Sequence, residues 1–224
     1  MKIQNKTKYF FLENKPKDEC GIFGVSNDQN AGNLVALGLH ALQHRGQDST
    51  GIVTSDKNNF YAHRGMGQVS EVFSNKELLN TLKGSMSIGH NRYGTTGESA
   101  LKNVQPLFSE LSVGGVAIAH NGNLTNTHQL KEKLIKSGSI FQSTSDTEVI
   151  LHLLSTASGT LLERLTYALN SISGAYSLLI MTNSKLIGVR DPFGIRPLVL
   201  GKYKNSYILS SESCGLDIIG AELI

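Results

Sequence analysis

The chain has 224 residues, of which 17% are charged and 39% hydrophobic, and its net charge is +3. That is enough apolar material for a sizeable core, and the near-balance of charge gives no basic face, which argues against nucleic acid as a partner. Two cysteines, Cys20 and Cys214, are too few for a disulfide framework or a four-thiolate metal site, and they fit a reducing, cytoplasmic setting.

Residues 1–19 hold five lysines and one apolar run, Tyr9-Phe10-Phe11-Leu12. Four apolar residues are too few for a signal-peptide core, and no stretch approaches the roughly 20 needed to cross a membrane. The segment reads as a propeptide to be cleaved or as a disordered leader. Residues 20–224 read as one domain, with no repeat or linker inside. Residues 21–25 are a buried strand, and apolar residues at helical spacing predict a helix over 31–43. A polar loop follows, Gln43 to Asp48. Strands are expected at 51–54 and 59–64, a short helix at 75–83, and a strand at 85–93 that runs into Gly94-Thr95-Thr96-Gly97. The next strand, 113–120, stops at Asn121-Gly122-Asn123. Helices follow at 126–137, 145–156 and 160–171. Ser145 and Glu148 have the spacing of a capping box. Strands at 175–182, 186–190, 198–201 and 207–210 close the chain. Strands at both ends with helices between predict an α+β fold of antiparallel sheets packed together, with helices outside.

Cys20 lies where the leader meets the domain. If the bond before it is cut, one residue carries both a thiol and a free α-amine. With reference pKa values of about 8.5 and 8, the amine can take the thiol proton near neutral pH. The plain alternative is a small cysteine at a strand start. Arg92, at the end of a strand, offers a planar fork suited to a carboxylate; it also suits an ordinary surface position. Asn121 and Gly122 offer a side-chain amide and a backbone N–H, the donors an oxyanion needs, but Asn-Gly is also a common turn. Asp146, in the first turn of a helix, serves either the helix dipole or a ligand ammonium. His40 and His44 are spaced i, i+4, yet no third metal ligand stands at an obvious spacing. No phosphate-binding glycine loop is present, and the glycines of 64–67 are too few for a nucleotide fingerprint.

Taken in order, Cys20-Gly21-Ile22-Phe23-Gly24, 42–48 (LQHRGQD), 90–97 (HNRYGTTG), 120–123 (HNGN), 145–148 (SDTE), 190–198 (RDPFGIRPL) and 210–217 (SSESCGLD) resemble the class II glutamine amidotransferases. These are N-terminal-nucleophile (Ntn) enzymes, and the resemblance runs over 18–222. Within the family it is strongest to the glutaminase half of the amidophosphoribosyltransferases of purine synthesis. The resemblance implies a four-layer αββα sandwich of two antiparallel sheets between helical layers. It implies Cys20 as nucleophile, exposed by removal of residues 1–19, with Asn121 and Gly122 as oxyanion hole. Arg92 would hold the glutamine α-carboxylate with Thr95 supporting, Asp146 would pair with the α-ammonium, and Arg45 would shape the site beside Cys20. No metal or cofactor is implied. Glutamine would be hydrolysed to glutamate and ammonia through a Cys20 thioester. The family's full enzyme continues into a phosphoribosyltransferase domain, whereas this sequence stops at Ile224. A separate phosphoribosyltransferase chain, an isolated domain, or a non-catalytic remnant that still binds glutamine are the readings left open, as is a homo-oligomer.

Overall fold

The computed structural model describes residues 20–94 and 100–224. In chain order the strands are β1 (Gly21–Ser26), β2 (Ser49–Ser55), β3 (Phe60–Met66), β4 (Met86–Arg92), β5 (Leu107–Leu111), β6 (Gly114–Leu124), β7 (Gly174–Met181), β8 (Leu186–Arg190), β9 (Val199–Tyr203), β10 (Ser206–Ser210) and β11 (Glu222–Leu223). The helices are α1 (Ala31–Ala41), α2 (Val69–Val72), α3 (Lys76–Thr81), α4 (Thr127–Lys136), α5 (Thr147–Thr156), α6 (Leu161–Ser171) and α7 (Cys214–Asp217). One sheet has the order β11-β9-β10-β1-β4-β2-β3 and the other β5-β6-β7-β8. Every pairing in both is antiparallel.

Side chains alternate between the two faces of a strand, and that alternation builds the layers. In β1, Ile22 points between the sheets, while Phe23 and Val25 point outward onto Val35 and Leu39 of α1. The space between the sheets is filled by Ile22, Val53, Met86 and Ile88 from one side and Ala117, Ala119, Leu179 and Met181 from the other. On the far side, α5 and α6 set Val149, Ile150, Leu154 and Leu165 against Ile118, Leu178 and Ile180. The result is helix, sheet, sheet, helix, the αββα sandwich expected. No described helix is long and apolar enough to cross a membrane.

Several elements depart from the sequence reading. The helix predicted over 31–43 ends at Ala41, and Gln43–Arg45 forms a 3₁₀ turn. Gln43 spends its side chain on tertiary bonds, donating to the Gly46 carbonyl at 2.6 Å and accepting from the Val69 N–H at 2.8 Å. Ser145 and Glu148 form no capping box. Instead, the Glu148 carboxylate accepts from the N–H groups of Gln142 and Ser143, each at 2.7 Å. β5 carries no strand signal, because its apolar residues Leu107, Phe108 and Leu111 do not alternate and Phe108 is exposed. Two-residue β11 and one-turn α2 and α7 are too short to leave a periodic signal. β6 does not stop at His120. It runs on through Asn121 and Gly122 to Leu124.

Candidate active site

Cys20 stands half-buried immediately before β1, and its φ of 46° is left-handed. That conformation costs a residue with a Cβ on the order of 1 kcal/mol. Its main chain is gripped from the loop that follows α1. Arg45 Nε donates to the Cys20 carbonyl at 2.8 Å. Arg45 is itself buried, and its Nη1 is paired with Glu212 Oε1, two residues before α7. His44 Nε2 lies 2.9 Å from the other carboxylate oxygen, Oε2. Burial alone would raise the Glu212 carboxyl, but Arg45 and His44 outweigh it and hold its pKa below the ordinary value.

The same loop seats Arg92. Gly46 packs so closely that a Cβ there would lie 2.6 Å from the Arg92 carbonyl carbon. The Asp48 N–H donates to the Arg92 carbonyl at 3.0 Å. Next to Arg92, the Asn91 side chain accepts from Thr50 Oγ1 at 2.9 Å and donates to the Leu39 carbonyl at 2.7 Å. Gly21 pairs with Asn91 in the ladder, so Cys20 and Arg92 flank one pair at the same end of the first sheet. Arg92 shares the parity of Met86 and Ile88 and therefore points between the sheets. It is buried, not a surface arginine.

The second sheet supplies the facing wall. Asn121 has the parity of Ala117 and Ala119, so its side chain also points between the sheets. It is fully buried, and neither Oδ1 nor Nδ2 has a hydrogen-bond partner among the described residues. Asn121 and Gly122 are paired with Ser177 and Tyr176 in an unbroken ladder, which rules out the turn. The main chain of Tyr176 faces the other way: Asp191 N–H donates to its carbonyl at 2.9 Å and its own N–H donates to Asp191 Oδ2 at 3.4 Å. Gly122 is thus the non-hydrogen-bonded partner of Tyr176, and its N–H turns away from β7. It turns toward the edge where the His120 N–H donates to Gln105 Oε1 at 2.8 Å. β5 has already ended there, since its first pair is Leu107 with Ile118. Gly122 has φ +155°, and a Cβ on it would fall 2.2 Å from the Ala175 carbonyl oxygen.

His120 shares the parity of Ile118 and turns its ring to the helix side of the second sheet, where Asp146 meets it. Asp146 precedes α5, but its carboxylate does not cap that helix. Oδ2 accepts from the Leu124 N–H at 2.9 Å, and Oδ1 lies 3.4 Å from His120 Nδ1. Burial would raise the Asp146 carboxyl; His120 and the backbone N–H groups of Leu124 and Thr147 outweigh it and push the pKa down. His90 ties the sheets together, donating from Nε2 to the His120 carbonyl at 3.0 Å. Complete burial pushes its pKa down to about 3, so it stays neutral.

The structure therefore gathers Cys20, Arg45 and Arg92 at one end of the first sheet. Asn121 and Gly122 lie on β6 of the second, with Asp146 beside β6 ahead of α5, and the His90–His120 bond joins the two sheets between them. Thr95 lies outside the described residues. A cavity of about 600 Å³ lies elsewhere, lined by Arg64, Phe108, Gln142, Glu148 and His152, and none of the candidate residues borders it. Sequence reasoning missed Glu212, His120, His90 and Gln105. His120 carried a readable signal, a polar residue ending an apolar run. Glu212 could have been sought as the carboxylate a buried arginine requires.

Residues 90–217 match the family model described as glutamine amidotransferase domain. The amidophosphoribosyltransferase of Rhizobium etli is 53% identical over 208 residues, covering 92% of this chain and 42% of that protein. The solved glutamine phosphoribosylpyrophosphate amidotransferase of Bacillus subtilis superposes with a TM-score of 0.86 at 43% identity, over 92% of this chain and 44% of that one. A solved allosteric regulatory enzyme of purine biosynthesis gives a TM-score of 0.88 at 44% identity, over the same shares. The chain spans less than half the length of these three relatives.

Proposed function

This chain belongs to the glutamine amidotransferase domain family, in its class II branch, and on that premise we propose that it cleaves the side-chain amide of glutamine with Cys20 as an N-terminal nucleophile. Residues 1–19 must leave first. Hydrolysis of the Glu19–Cys20 bond frees the α-amine and also abolishes the strained φ of Cys20. The amine, directly or through one water, then takes the thiol proton, and the thiolate attacks the amide carbon. Arg92 holds the substrate α-carboxylate, with Thr95 assisting, and Asp146 holds the α-ammonium as a carboxylate throughout the neutral range. The oxyanion is met by Asn121 Nδ2 and the Gly122 N–H, and one such donor is worth about 3–4 kcal/mol. The amine proton passes to the leaving nitrogen and ammonia departs. Water then hydrolyses the γ-glutamyl thioester to glutamate and restores Cys20.

The observation that carries this reading is the Asn121 amide, fully buried, with both polar atoms unpartnered among the described residues and aimed between the sheets. Burying an amide that way costs stability unless a ligand uses it. The relatives' printed names supply the remainder of the proposal. Ammonia made here serves phosphoribosyl amination in purine biosynthesis, on a phosphoribosyltransferase module joined to or docked on this one. The test is ammonia release by processed protein with and without Cys20→Ala. Release that requires the thiol is expected; processed protein that binds glutamine but releases nothing would make this a binding module.

A further inference from the structure

The loop that anchors Cys20 carries a second cluster whose side chains the glutaminase chemistry does not use as reactants. His44 Nε2, Glu212 Oε2 and Cys214 Sγ all lie within 4.8 Å of one another. Nε2 is 2.9 Å and Sγ 3.6 Å from Oε2. We propose that these three side chains bind a divalent, borderline-soft cation of the zinc class. The spacing of His40 and His44 pointed to no third ligand, and the structure supplies two from the opposite end of the sequence.

Four features support the assignment. A thiolate, an imidazole and a carboxylate form the donor set that selects zinc over calcium or magnesium. Bonds of about 2.0–2.3 Å at tetrahedral angles put ligand atoms roughly 3.3–3.6 Å apart, so small side-chain shifts suffice. His44 Nδ1 lies 3.1 Å from the Ala41 carbonyl, an acceptor that holds the Nδ1 proton and leaves Nε2, the nitrogen facing Oε2, as the one a metal would take. All three side chains are at least partly open to solvent, which gives the ion a path in. On binding, the thiol proton of Cys214 and any proton on Nε2 leave, and the metal takes their places against Oε2. Oε1 remains with Arg45, which links the ion to the residue that grips the Cys20 carbonyl.

The test uses Co²⁺ as a coloured stand-in for Zn²⁺, added to the full chain bearing Cys20→Ala so that Cys214 is the sole thiol. A thiolate-to-cobalt charge-transfer band is expected, displaced by Zn²⁺. Adding Cys214→Ser should abolish the band with the circular dichroism spectrum unchanged. His44→Gln, at an exposed position, should weaken Co²⁺ binding by more than about tenfold. No band in the Cys20→Ala protein, or a band and affinity indifferent to His44→Gln, would overturn the site. Because the assay lacks the nucleophile, its result is independent of whether the chain is a glutaminase.

Discussion

At the scale of the residue, Asn121 and Arg92 carry separate predictions. Neither polar atom of the buried Asn121 amide has a hydrogen-bond partner among the described residues. Replacing it by alanine removes a buried unsatisfied amide, so Tm should not fall, while kcat for ammonia release should drop about 10²–10³-fold. Thermal melts and steady-state assays check both halves; a large loss of Tm with kcat intact would make Asn121 a structural group. Arg92→Lys keeps the charge but loses the fork, and it should raise KM for glutamine about tenfold or more with a smaller change in kcat. Asp146 gives a pH prediction. Its folded pKa lies below the ordinary carboxylate value of about 3.9, so its stabilising contribution is complete above that value. The contribution is lost as pH falls through the depressed folded value. Acid denaturation monitored by circular dichroism should show a shallower loss below about pH 4 in Asp146→Asn, because that variant has no proton to take up there.

At the scale of the element, the loop between α1 and β2 clamps the end of the first sheet. Its 3₁₀ turn brings Arg45 under the Cys20 carbonyl, and Gly46 lets the chain pass against Arg92. Gly46→Ala should therefore push β4 outward, costing about 1–3 kcal/mol and raising KM for glutamine, as read from denaturant unfolding and kinetics. The sequence showed this loop as a dense polar run, but not its partner. Glu212 is 167 residues from Arg45, and no local pattern encodes a contact that distant. The helices and most strands were legible because their apolar spacing is long and regular. β6 was cut short because Asn-Gly is a turn signal, and the pairing of Gly122 with Tyr176 overrode it. The same tertiary constraint explains Glu148. Its capping-box spacing was real, but the chain at Gln142 and Ser143 offered better donors than the helix end.

At the scale of the whole molecule, two antiparallel sheets share one core, and the proposed site residues Cys20, Arg92 and Asn121 stand at strands of both. The αββα architecture was reached from the residue blocks by resemblance; composition and strand order alone gave only antiparallel sheets with helices outside. The proposed Cys20, Arg92, Asn121 and Asp146 set came from the same resemblance, whereas the His90–His120 link between the sheets left no sequence signal, because it joins two strands in different sheets. The direct test of the whole account is mass spectrometry of ammonia-releasing protein treated with a glutamine analogue that carries an electrophile at its γ position. The account predicts one adduct, on a peptide that begins at Cys20. An adduct on any other residue, or a labelled active chain in which Glu19 is still joined to Cys20, would contradict it.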